Sequence, residues 1–203
     1  MIEELERAAG RPVSRETFEQ LKAYVALLTS ENARQNLISR APSQDLWARH
    51  ILDSAQLARF EPAAGASWAD VGSGAGLPGI VIACLVEGPV TLIEPRRLRA
   101  EFLRHVVHKL DLNAIVTDSK VEKVAGPFDV ITARAVAPLE KLLRISQHLS
   151  TRKTVWALPR GRNAHSELAE ARHAWQGVFH VEQSVTDANS YIVVGTGVRA
   201  EAK

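Results

Sequence analysis

With 203 residues, 46% of them hydrophobic and 24% charged, the chain suits one domain with a sizeable core and is too apolar to remain disordered. A formal net charge of +2 gives no whole-molecule field for a polyanion, so affinity for nucleic acid must come from a local patch. No apolar run approaches the length of a bilayer span, and the acidic start Met1-Ile2-Glu3-Glu4 lacks the basic and apolar regions of a signal peptide. The single cysteine, Cys84, excludes an internal disulfide framework and points to a reducing compartment; a cytoplasmic protein without membrane partners is expected.

In chain order, Ser14 to Thr29 predicts an amphipathic helix, with Ser14 as N-cap and Phe18, Leu21, Val25 and Leu28 at helical spacing. A second helix is expected from Ser43 to Phe60, with Leu46, Trp47, Ile51, Ala55 and Ala58 facing inward. Glu61 to Ala66 breaks the pattern and reads as a linker, dividing an N-terminal helical region (1–62) from an α/β domain (63–203). The domain then alternates. Strands are expected at Trp68–Val71, Val90–Ile93, Ala114–Thr117, Phe128–Ala133 and Thr154–Leu158, and helices at Leu77–Val86, Arg96–Leu110, Pro138–Leu149 and Asn163–Trp175. Such alternation with apolar strands implies a parallel sheet covered on both faces. Two closing strand-like runs, Val178–Ser184 and Tyr191–Val198, have no helix between them and must pair antiparallel. A mostly parallel seven-stranded sheet ending in an antiparallel hairpin is the layout of the Rossmann-like, class I S-adenosylmethionine-dependent methyltransferases.

The run Asp70-Val71-Gly72-Ser73-Gly74-Ala75-Gly76-Leu77-Pro78-Gly79 joins the first strand to the first helix, the architecture of a nucleotide-type cofactor site. Gly74, Gly76 and Gly79 also satisfy the dinucleotide pattern G-x-G-x-x-G, a weak signal alone. Asp70, before the glycines, would repel a pyrophosphate but favours a cofactor bearing an ammonium and a sulfonium. Glu94 ends the second strand, where a carboxylate accepts hydrogen bonds from ribose hydroxyls in either cofactor class. The turn after the third strand offers Val121 and Glu122 to an adenine ring; the alternative is an ordinary surface turn. Arg134 follows the fourth strand, at the edge where open α/β sheets bind ligands, and could reach a cofactor carboxylate or an RNA phosphate; otherwise it is a surface arginine paired with an acid. Cys84 lies inside an apolar helix and reads as core. His105 and His108 have metal-ligand spacing but no third ligand, so no metal is expected. His50 and Asp53, one helical turn apart, could touch the pocket, but buried hydrogen bonds tying the N-terminal helices to the sheet are the expected role.

The runs Arg49-His50-Ile51-Leu52-Asp53-Ser54, Asp70 to Ile80 and Phe128 to Ala135, with Gln35 to Ile38 and Pro159 to Asn163, resemble the bacterial small-subunit rRNA guanine-N7 methyltransferases, the glucose-inhibited division protein B family. The resemblance covers about Asn32 to Val194. It implies methyl transfer from S-adenosyl-L-methionine to N7 of a guanine in the 530 loop of 16S rRNA (position 527 in standard rRNA numbering), with 16S rRNA or the small ribosomal subunit as partner and a monomeric enzyme. The family's cofactor-holding residues match Gly72, Leu77, Val121, Glu122 and Arg134, beside which Asp70, Gly74 and Glu94 are candidates from the motif itself. Many relatives carry Lys-Gly where this chain has Arg160-Gly161, which keeps the charge but replaces a point charge by a planar fork. Guanine N7 has a free lone pair and no proton, so no general base is expected, and Arg134 is the candidate for positioning. Arg160 and Arg162, on a predicted loop, are the expected RNA contacts; the basic helix bearing Arg96, Arg97, Arg99, Arg104 and Lys109 is either a second rim or a solvated face. Three alternatives remain: a methyltransferase of the same fold acting on another substrate, a non-catalytic RNA-binding or assembly factor, and a nicotinamide oxidoreductase.

Overall fold

The computed structural model describes residues 1–39 and 46–201. Strands β1 (Trp68–Val71) and β2 (Val90–Ile93) are buried at every residue, as continuous apolar runs between turn residues require in the middle of a parallel sheet. With β3 (Ala114–Thr117), β4 (Val130–Thr132), β5 (Val155–Arg160), β6 (Trp175–Gln183) and β7 (Tyr191–Ala200) they form one sheet of order β3-β2-β1-β4-β5-β7-β6. The first five strands run parallel, and β7 inserts antiparallel between β5 and β6. The order reverses between β1 and β4, so their carboxyl ends open onto the crevice where such sheets bind ligands.

Successive strand residues face opposite sides. Trp68, Leu92 and Val130 join one hydrophobic cluster, with helices α1 (Ile2–Ala9), α2 (Arg15–Gln35), α3 (Gly79–Leu85) and α4 (Arg97–Lys109). Ala69, Val71, Ile93 and Ile131 join the other, under α5 (Leu139–Ser146) and α6 (Ala164–Ala171). The N-terminal helices therefore share one core with a face of the sheet.

The predicted elements recur with shifted ends. Helix α2 starts on Ser14, whose hydroxyl accepts the Thr17 amide at 3.0 Å, and continues past Thr29 to Gln35. Helix α1, not anticipated, buries Leu5, Ala8 and Ala9. The expected start of the second helix lies outside the described residues. From Trp47 the chain is helical but irregular: π-helical over Trp47–Leu52, α over Asp53–Ala55 and 3-10 over Gln56–Phe60. Leu46, Trp47, Ile51, Ala55 and Ala58 are buried as expected. The helix expected to run to Trp175 stops at Ala171, and Trp175 opens β6. Strand β5 passes through Pro159 to Arg160, because beyond Ala157 it has left β4 and one edge no longer needs a donor.

Tyr24 is the tie between the N-terminal helices and the glycine turn. It is fully buried, and its hydroxyl donates to the Ala75 carbonyl at 2.9 Å. Tyr24→Phe leaves that carbonyl buried without a donor, so the variant should lose about 1–3 kcal/mol of unfolding free energy in a urea titration; a loss under ~0.5 kcal/mol would mean that water replaces the hydroxyl.

Candidate active site

The turn between β1 and α3 is shaped by backbone donors. Gly72 and Ser73 amides donate to the Ile93 carbonyl at 2.8 and 3.0 Å, holding the turn against β2. Gly74 N–H donates to Glu94 Oε2 at 2.8 Å, and Arg96 N–H donates to Glu94 Oε1 at 2.9 Å. Glu94 is only 3% exposed, and each of its oxygens keeps a lone pair for a further donor. Gly72 has φ 70°, and a Cβ there would lie 2.6 Å from Val136 Cγ2. Val136 thus packs on bare backbone, and only glycine fits beneath it.

Two clefts meet at this point. The β2-side cleft, about 420 Å³, is lined by Gly72, Glu94, Val121 and Glu122 among others, and by the cations Arg96, Arg99, Lys120 and Lys141. Among the described residues none of these four cations forms an ion pair. The β5-side cleft, about 480 Å³, is bounded by Asp53, Arg134, Pro138, Arg160, Glu167 and Tyr191 among others. Ala135, Val136 and Ala137 line both, so the segment after β4 is their common wall.

Arg134 does not reach this wall as a free surface arginine. Its Nη1 lies 3.4 Å from Asp53 Oδ2, and its Nη2 donates to His50 Nδ1 at 3.2 Å. Arginine has no acceptor, so this His50 nitrogen carries no proton. Burial, then the positive charges of Arg134 and Arg49, push the imidazole down to about 4, in keeping with that role. Asp53 Oδ1 accepts from Gln56 Nε2 at 2.9 Å, Ser184 Oγ at 3.3 Å and Thr186 Oγ1 at 3.0 Å. Both roles weighed for this pair are present: His50 ties the helical region to Arg134 after β4, Asp53 ties it to Arg134 and to the β6–β7 loop, and Asp53 also lines a cleft.

Three of the expected site residues are more buried than a ligand contact suggests. Asp70 was expected to face a bound cation, yet strand alternation places it on the Trp68 face, 1% exposed and outside both cleft linings. Its Oδ2 accepts the Gly79 amide at 3.0 Å, gripping the start of α3, and a Cβ on Gly79 would collide with the carboxylate. Leu77 has its side chain in the core shared with the helices, 5% exposed, so any cofactor contact of this residue falls to its backbone. Arg160 is the last residue of β5 and not a loop residue, and its side chain is 6% exposed. Arg162 is exposed, as a loop contact would be. The basic helix divides: Arg97 pairs with Glu101 and Arg104 with Asp118, whereas Arg96 and Arg99 border the β2-side cleft. Cys84 is core, its thiol pushed up to about 12 by burial.

A glycine turn at the sheet's reversal point, a buried acid ending β2 and an antiparallel closing hairpin define an S-adenosylmethionine-dependent methyltransferase of the Rossmann-like class. Solved structures agree on the fold: a SAM-dependent methyltransferase from Aquifex aeolicus superposes with TM-score 0.60 at 17% identity, covering 75% of this chain and 93% of that one. A mutant of MtNAS in complex with S-adenosylmethionine superposes with TM-score 0.62 at 20% identity, covering 87% and 75%. The chain belongs to the GidB family, described as rRNA small subunit methyltransferase G, whose model matches residues 17–191. Relatives named ribosomal RNA small subunit methyltransferase G include one from Sphingopyxis alaskensis, 49% identical and covering 94% of this chain and 83% of its own. Another, from Zymomonas mobilis, is 48% identical and covers 92% and 88%.

Two predictions rest on the turn. Burial raises Asp70 to about 7, against the lowering effects of the Ser73 and Gly79 hydrogen bonds and of Arg134. A folded-state pKa above the unfolded one contributes stability that is full below about pH 4 and lost as pH rises to about 7. Asp70→Asn should therefore flatten the decline in unfolding free energy over that window in urea titrations; an unchanged slope would assign the decline elsewhere. Gly72→Ala must hold alanine in the left-handed region, which costs about 1–2 kcal/mol, and must displace Val136. It should lower stability by at least that and weaken S-adenosylmethionine binding in calorimetry. A variant that binds as tightly as the parent would free the turn from any part in the cofactor site.

Proposed function

We propose that the protein transfers the methyl group of S-adenosyl-L-methionine to N7 of a guanine in the 530 loop of 16S rRNA, acting as a cytoplasmic monomer on the RNA or the small subunit. The observation that carries this reading is the pair of clefts divided by the segment Ala135–Ala137 at the end of β4. In the β2-side cleft the cofactor would lie on Gly72 and Gly74, with its ribose on Glu94 and its adenine beside Val121 and Glu122. Glu94 fits that role because it is fixed by two amides yet retains free lone pairs. Asp70 and Leu77 shape the turn from below, and Arg134, held by His50 and Asp53, positions ligands from the other side of the wall. When bound, the cofactor supplies an electrophilic methyl group.

The acceptor's chemistry is supported by what the clefts contain. Neither lining includes a histidine or a cysteine, which suits a nitrogen that carries no proton and needs neither base nor nucleophile. Methylation leaves the purine cationic, and the Asp53 carboxylate in the β5-side cleft tolerates that charge. The cofactor has no phosphate, so the unpaired Arg96, Arg99, Lys120 and Lys141 at its rim are better matched to the RNA backbone. Family membership adds the small-subunit rRNA as substrate class.

Incubation with tritiated cofactor and either 16S rRNA or assembled small subunit, followed by mass mapping, should place the label on one guanine of the 530 loop. Label at another base, or on neither substrate, overturns the assignment. Glu94→Gln should weaken cofactor binding about tenfold, the equivalent of ~1.4 kcal/mol, with the circular dichroism spectrum unchanged. Binding equal to the parent's would remove Glu94 from the site.

A further inference from the structure

Arg160 carries an unmet demand. Its side chain is 94% buried by the 6% exposure of the pair it forms with Glu167. One nitrogen, Nη1, donates to the Ala137 carbonyl at 2.7 Å and lies 3.6 Å from Glu167 Oε2. The other two, Nε and Nη2, are shielded from solvent and have no partner. Charged donors left in that state are costly, and native proteins almost always satisfy them. Neighbouring acids do not fill the gap. Glu167 is engaged with Nη1 and with the Leu139 amide at 3.0 Å, and Asp53 is engaged with Gln56, Ser184, Thr186 and Arg134.

Nε–H and Nη2–H form the parallel edge of the guanidinium, the edge that takes two acceptor oxygens at once. Arg160 stands in the wall of the β5-side cleft beside Arg134 and Tyr191. We infer that Arg160 is the phosphate-binding residue of the acceptor cleft, its free edge taking the two non-bridging oxygens of a phosphate at the target nucleotide. This rests on the functional reading above and specifies how the RNA is seated. The guanine's own O6 and N7 present a similar pair of acceptors, but N7 must stay free to receive the methyl group, so the base cannot occupy the fork. Access requires the Ala135–Pro138 segment to shift, since Ala137 holds the same guanidinium. Ala135 already sits at φ 55°, a conformation unfavourable for a residue with a side chain, so the segment begins from a strained position. Tyr191 on the same cleft offers a ring to the nucleotide.

The test is steady-state methyl transfer to 16S rRNA over a range of salt, with cofactor binding measured separately. Arg160→Ala should raise the KM for RNA at least tenfold, leave kcat and the cofactor Kd within twofold, and reduce the slope of log(kcat/KM) against log[salt] by about one. Arg160→Lys, which keeps the charge and loses the fork, should restore the slope but only part of the affinity, and it covers the case where the alanine variant fails to fold. Guanosine 5′-monophosphate should compete with RNA more strongly than guanosine in the parent and no better than guanosine in Arg160→Ala. An unchanged slope and RNA KM in both variants overturns the inference, and so does a rise in cofactor Kd instead, because the fork would then serve the cofactor carboxylate. A parent protein that methylates no 16S rRNA overturns the functional reading itself, whereas a competent parent with indifferent variants overturns only the role of Arg160.

Discussion

The glycine turn cannot keep its shape by its own side chains, because it has almost none; it is held by two buried carboxylates, Asp70 from below and Glu94 from the β2 side. Each accepts a backbone amide that a turn of this kind would otherwise leave without a partner, and each is placed by the sheet register, where Asp70 stands opposite Leu92. The Gly79 amide at the start of α3 points at Asp70, so the helix N-terminus that could have met an external anion is already answered from inside. This separates the site physically from a dinucleotide site built on similar glycine spacing, where the pyrophosphate meets the helix N-terminus. Asp70 occupies that position from inside the fold.

A second set of contacts fixes the opposite wall. The π-helical turn over Trp47–Leu52 and the residues after it present His50, Asp53 and Gln56 to two separate parts of the sheet. Gln56 spans furthest: its Nε2 donates to Ser184 Oγ at 2.9 Å and its Oε1 accepts the Val185 amide at 2.9 Å. Arg134 is thereby pinned between a neutral imidazole and a carboxylate satisfied on its other oxygen. An arginine held this way has its orientation set by the fold itself. The irregular helix over Trp47–Phe60, which carries no glycine motif of its own, therefore helps to set the wall of the β5-side cleft.

Much of this was legible in the amino-acid order. Strands β1, β2 and β3 match their predicted limits because each is a short, mostly apolar run closed by turn residues. Gly72, Glu94, Val121 and Glu122 reach one cleft because strand ends and the turns after them converge in a parallel sheet. The direction of Asp70 was readable too, since alternation from Trp68 fixes its face. Other features depend on distant partners. Trp175 continues the helical spacing of Leu168 and Ala171, and only its pairing with Ala200 makes it a strand residue. The burial of Arg160 depends on Ala137 and Glu167, and the reach of Asp53 and Gln56 to the β6–β7 loop on residues 133 and 129 positions away; no local pattern announces either.

The two clefts differ in how their charges are used. On the β2 side, four cations without an ion-pair partner among the described residues share the lining with Gly72, Glu94, Glu122 and apolar side chains. On the β5 side the arginines are in the wall itself, and the acids beside them are spent on holding backbone and side chains in place. Val136 lines both clefts and rests on Gly72. A methyltransferase can accelerate its reaction by proximity and orientation, which require walls that are set in advance. Here the wall segment rests on the Gly72 backbone through Val136, and Arg134 is fixed by His50 and Asp53.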